Sequence, residues 1–85
     1  MFIEIMKTHS CPYCPAASRI VKKVADEFSD KVEVREIYLD EDQKEKERAI
    51  KLGIFSVPTV LIDKKVWKIG VPEEEDLRNE IKTNL

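Results

Sequence analysis

The apolar positions along the chain change their period several times, and each change marks an element. Phe2, Ile3, Ile5 and Met6 form a short apolar-rich run ending at Lys7, which suits a β-strand. Thr8, His9 and Ser10 then supply loop chemistry. From Cys14 the period becomes helical. Ala17, Val21, Val24 and Phe28 recur on one stripe, widened by Ile20 and Ala25, while Arg19, Lys22, Lys23, Asp26 and Glu27 fill the remaining face. This spacing predicts an amphipathic helix of about four turns, ending near Ser29 and Asp30. Val32 to Leu39 alternates at first and then turns apolar, which reads as a second strand.

Asp40 opens a highly charged helix running to about Leu52, with Ala49, Ile50 and Leu52 as a short apolar face and Gly53 as a left-handed cap. Thr59 to Ile62 is a compact, largely β-branched run, hence a buried strand. Asp63, Lys64 and Lys65 turn it into Val66–Ile69 as a β-hairpin, although the turn lacks the preferred glycine. Gly70, Val71 and Pro72 punctuate the chain. Pro72 to Asp76 then opens a last helix, its acids meeting the positive end of the helix dipole, with Leu77, Ile81 and Leu85 as the buried stripe. The order β-α-β-α-β-β-α predicts an α/β fold whose first βαβ unit is a right-handed parallel crossover. With no repeat, linker or low-complexity tract, residues 1–85 are expected to form one domain.

Charge excludes some partners. Fifteen basic residues stand against 17 acidic ones, for a net charge of −2, so neither nucleic acid nor an anionic membrane has an electrostatic footprint to bind. No apolar run approaches the roughly 20 residues that cross a bilayer. Met1 to Lys7 lacks a basic segment followed by a long apolar stretch, so it does not read as a signal peptide. The expected compartment is a reducing cytoplasm, where two close cysteines are redox-active or metal-binding more often than structural.

The only two cysteines, Cys11 and Cys14, are three positions apart. A bridge between them closes a tiny loop and removes little entropy from the unfolded chain, so stabilising the fold is a poor reason for it. A zinc site takes four ligands, and His9 is the only other strong candidate nearby. The pair lies at a strand-to-helix junction, where unpaired N–H groups and a partial positive charge favour a thiolate. Cys11, ahead of the first turn, is the expected nucleophile, and Cys14, inside it, the resolving thiol.

With these residues in place, the chain resembles the thioredoxin superfamily, and in particular its short archaeal-type glutaredoxin/thioredoxin-like proteins. Cys11-Pro12-Tyr13-Cys14 matches the glutaredoxin active site letter for letter, and Pro15 follows it. The element order matches the minimal thioredoxin fold over essentially the whole chain. Ser56-Val57-Pro58-Thr59 stands where the family carries a cis-proline, and Gly70 follows the last strand. The resemblance implies a four-stranded mixed sheet with helices on both faces. It also implies a dithiol–disulfide oxidoreductase acting on protein disulfides, with no bound cofactor or metal and a monomeric state. Pro12, Tyr13, Val57 and a cis Pro58 would form the substrate surface, the Val57 backbone pairing with an extended substrate segment.

Two departures leave the electron donor open between a thioredoxin-reductase-like protein and glutathione. Ile5 occupies the position where thioredoxins carry a buried acid, and Val71 breaks the Gly-Gly pair with which glutaredoxins hold glutathione. A metal or iron–sulfur module is a remote alternative, opposed by the crowding of Pro12 and Pro58. Among the other residues, His9 reads as an exposed loop histidine, Trp67 as a packing residue and Pro15 as a first-turn proline. Lys7 is either a solvated strand end or a source of positive potential for the thiols.

Overall fold

Strand β1 (Phe2–Lys7) is paired on both sides and organises the sheet. In the computed structural model, which describes all 85 residues, it runs parallel to β2 (Glu33–Tyr38) and antiparallel to β3 (Thr59–Ile62). Strand β4 (Lys65–Ile69) pairs antiparallel with β3, giving the order β2-β1-β3-β4. Three helices complete the fold: α1 (Cys14–Asp26), α2 (Gln43–Lys51) and α3 (Glu74–Asn84). This is the mixed four-stranded sheet and the element order that the sequence predicts. No helix is long and apolar enough to cross a membrane.

The two-residue period of a strand sends successive β1 side chains to opposite faces. Ile3 and Ile5 join Val60 and Ile62 under α1 and α3, whose Val21, Val24, Ala25, Leu77 and Ile81 complete the larger core. Met6, Ile37 and Leu61 meet Ala49 of α2 and Ile54 on the other face. Trp67 packs against the larger core from the edge strand, as expected. The hairpin turn dispenses with glycine: Asp63 and Lys64 both adopt positive φ, at 49° and 70°. Two hydrogen bonds to Phe2 hold it, one given by the Asp63 N–H to the Phe2 carbonyl and one accepted by Oδ1 from the Phe2 N–H, at 2.8 and 2.9 Å.

Several boundaries differ from the periodicity. Helix α1 ends at Asp26, before the expected Ser29, because Ser29 takes a left-handed φ of 54° and Ser29–Lys31 form a tight 3-10 turn. Phe28, beyond the helix, still covers the core edge. Pro72 is buried and precedes the last helix instead of opening it. Leu85 is exposed at the chain end. In α2 only Ala49 is buried, while Ile50 and Leu52, the residue just after the helix, are exposed.

Ala49 and an ion pair therefore dock α2. Glu4 is fully buried on β1, and Arg48 of α2 reaches it with two hydrogen bonds of 3.2 and 2.5 Å. Asp42 caps the helix, accepting from the N–H groups of Lys44 and Glu45. On the opposite face, Glu36 of β2 pairs with Lys7 of β1 and, at 2.7 Å, with Lys22 of α1. The two lysines, with a hydrogen bond from Ser18, outweigh burial and pull the Glu36 pKa from 4.5 to about 2.

Arg48→Ala strands a buried carboxylate and is expected to destabilise the fold by about 3–5 kcal/mol in urea unfolding, whereas Glu4→Leu/Arg48→Leu together should lose far less or even gain stability. Glu36 titrates below its unfolded value, so its contribution is complete above about pH 4.5 and is lost as the pH falls toward 2. Thermal melts across that window should therefore fall more steeply for the native protein than for Glu36→Gln.

Candidate active site

The loop between β1 and α1 is short, and the chain pins it from two directions. The Cys11 N–H reaches the Thr8 carbonyl at 3.4 Å, a weak turn bond. Leu39, just past β2, gives its N–H to the Lys7 carbonyl at 2.8 Å. His9 is tied to the same neighbourhood. Its backbone N–H donates to Asp40 Oδ2 at 3.1 Å, and its ring lies 3.0 Å from Asp40 Oδ2 and 3.3 Å from Glu41 Oε1. The hydrogen bond from the His9 backbone lowers the Asp40 pKa.

Helix α1 begins at Cys14, with Tyr13 as its uncapped N-terminal neighbour and Pro15 in its first turn. Proline is tolerated there because that N–H has no helical partner to lose. Cys11 and Cys14 are joined as a disulfide, with Cα atoms 5.4 Å apart. The two sulfurs sit in different surroundings. Cys14 is 2% exposed, whereas Cys11 is partly open to solvent.

A cavity of about 100 Å³ adjoins the pair, lined by Lys7, His9, Cys11, Cys14, Pro15 and Tyr38, with Thr8 at its edge. Tyr38 is sandwiched in the wall. His9 stacks on it with centroids 4.0 Å apart, and Lys7 Nζ lies 4.6 Å from the ring centre. Thr8 also borders a second, larger and mainly apolar groove of about 500 Å³ between α2 and the loop before β3. Leu39, Ala49, Ile50, Ile54, Phe55 and Val57 line it.

The sequence candidates fall into separate places. Cys11 and Cys14 share the small cavity, and Val57 borders the large groove. The Val57–Pro58 bond is cis, and Pro58 is buried. Its carbonyl accepts from the N–H of Gly70, whose φ of 102° a side chain would oppose. Pro12 and Tyr13 stand exposed on the rim, Tyr13 at 68%, and line neither cavity. Lys7 is not a solvated strand end but is buried. The sequence reading missed Tyr38, Asp40 and Glu36, which reach the site from β2 and the loop after it. It also missed Phe55, 82% exposed beside Val57.

Comparison with known proteins agrees with this geometry. A family profile described as a thioredoxin domain matches residues 1–82. The chain is 42% identical over 83 residues to a protein named thioredoxin from Methanocaldococcus jannaschii, covering 98% of this chain and 94% of that one. A probable thioredoxin from Methanothermobacter thermautotrophicus is 37% identical over 75 residues, covering 88% of this chain and 85% of the other. A solved mutant thioredoxin from Halobacterium salinarum superposes with a TM-score of 0.71 over 96% of this chain and 72% of its own, and a malarial protein with 0.77 over 99% and 96%. At 21% and 23% identity these two speak for the fold alone. The chain belongs to the thioredoxin domain family, and its Cys11–Cys14 couple makes it a thioredoxin-type dithiol–disulfide oxidoreductase.

Proposed function

We propose that Cys11 is the attacking thiolate and Cys14 the resolving thiol in the reduction of protein disulfides. The asymmetry of the pair carries this assignment: Cys11 is reachable ahead of α1, while Cys14 is buried in its first turn. The helix end directs N–H groups and partial positive charge toward the pair, and no acidic residue stands in that turn to oppose them. Thiolate character at Cys11 follows. Cys11 attacks one sulfur of the substrate disulfide, and the other leaves as a thiolate. Cys14 then attacks Cys11 and expels the second sulfur. Two electrons have passed to the substrate, and the Cys11–Cys14 disulfide remains.

Substrate contact falls to Pro12, Tyr13 and Val57, with the buried cis Pro58 shaping the turn that presents Val57. Neither the N–H nor the C=O of Val57 is hydrogen-bonded within the chain, so an extended segment can add there as a strand. A reducing cytoplasm is the compartment this chemistry implies, with the protein acting as a monomer. A dithiol donor of the thioredoxin-reductase class returns the electrons, in keeping with the thioredoxin relatives. Glutathione is the alternative donor, favoured by the Cys-Pro-Tyr-Cys motif.

Insulin reduction driven by dithiothreitol tests the assignment. Cys11→Ser should abolish turnover. Cys14→Ser should turn over more slowly and, when pre-reduced and freed of dithiothreitol, should accumulate substrate linked through Cys11; full activity in Cys11→Ser would overturn the proposal. Replacing the dithiol by glutathione and its reductase should slow turnover of the native protein. A faster rate with glutathione would transfer the function to the alternative.

A further inference from the structure

Resolution demands that Cys14 lose its proton in a place that resists charge. In the disulfide Cys14 is 2% exposed, and a buried sulfur is a poor host for negative charge. The α1 terminus gives limited help, because Pro15 brings no N–H to it. Ile5, six residues before Cys11, is apolar and fully buried in the core, so β1 offers no carboxylate at that point. The remaining help must come from groups around the cavity that Cys14 lines.

Those groups divide clearly. Tyr38 is held between Lys7 and His9. His9 is exposed, and its ring faces the carboxylates of Asp40 and Glu41, which offset any charge it gains. Glu36 lies behind Lys7 and, with a pKa of about 2, stays ionised and is too weak a base to take a proton from a thiol. Lys7 is different. It is 6% exposed, lines the cavity with both cysteines, and is fixed by Ser18 Oγ at 3.1 Å and by Glu36. Burial pushes its pKa down, but Glu36 and Tyr38 push it up by more, so it stays charged. Lys22 shares the Glu36 carboxylate, and the trio of Lys7, Lys22 and Glu36 keeps one positive charge in excess.

We infer that Lys7 is a positioning residue for the resolving step, a fixed buried cation that stabilises the thiolate of Cys14 across the shared cavity. The inference rests on the roles proposed above for the two cysteines. Cys14 releases its proton to water, and its thiolate attacks Cys11 Sγ. The Cys11–Cys14 bond forms as the Cys11–substrate bond breaks, and the departing substrate thiolate takes a proton from water. Lys7 keeps its own proton throughout. Glu36 acts one step further back, orienting Lys7 while cancelling part of the field.

Stopped-flow reaction of the reduced protein with dithiobis-nitrobenzoate separates the two steps. The first coloured thiol is released when Cys11 attacks, and the second when Cys14 resolves. Lys7→Met should raise the pH midpoint of the second phase by about one unit and slow that phase about tenfold below it, leaving the first phase much less affected. Lys7→Arg should restore most of the rate. Glu36→Gln should move the second-phase midpoint the opposite way, downward, because it removes a compensating negative charge. That variant keeps the test decisive if Lys7→Met does not fold. A second phase indifferent to Lys7, or a midpoint unchanged or raised in Glu36→Gln, would overturn the inference while leaving the cysteine roles intact. Absence of a first phase in the folded native protein would overturn those roles, and the inference with them.

Discussion

The double pairing of β1 is the constraint on which the rest of the molecule depends. With β2 on one side and β3 on the other, its backbone is committed, and only the alternation of side chains remains free to organise the two faces. Ile3 and Ile5 anchor the larger core, and Glu4 and Met6 receive α2. Lys7, the last residue on the Ile3 face, is carried beyond the apolar core to the start of α1, where the cysteines stand. A slip of one residue would send both isoleucines to the α2 side and bring Glu4 beneath α1. The register that builds the core therefore also places a cation at the active site.

Periodicity alone makes most of the fold legible. The helical stripe of Ala17, Val21 and Val24, the β-branched run at Thr59 and the left-handed Gly53 each signal locally what they do, because their partners or backbone demands lie close in sequence. The motif was equally plain, since its spacing and junction position are local features. What remained hidden depends on distant partners. Arg48 is 44 residues from Glu4, and Glu36 is 29 from Lys7. In each case a buried charge meets its counterion only because that counterion arrives from another element. Ile50 and Leu52 misled for the converse reason: α2 approaches the sheet through a small residue and an ion pair, so its larger apolar side chains have no core to enter.

The same long-range placement separates the active-site letters from the active-site electrostatics. Cys11-Pro12-Tyr13-Cys14 sets which atoms react, but the groups surrounding the sulfurs come from β1, β2 and the loop after β2. His9 and Lys7 are both near Cys11 in sequence, yet their environments differ. Asp40 and Glu41 draw the histidine outward against two carboxylates, whereas Glu36 and Ser18 hold the lysine inward. A motif shared letter for letter with glutaredoxins thus sits in a charge environment that the motif does not specify, and relatives named thioredoxin are compatible with it.

Stability and redox chemistry are also kept apart. The bridge between Cys11 and Cys14 spans too short a loop to restrict the unfolded chain much, so opening it removes little from the fold. The elements on either side have other attachments: α1 buries Val21 and Val24 and is tied to α3 by Arg78 and Glu27, while the end of β1 is held by Leu39. A couple that must open and close in each turnover is best placed where neither state is needed to hold the protein together. The mixed sheet and the ion pairs that fasten its helices meet that requirement, so the fold does not rest on whether the two sulfurs are joined.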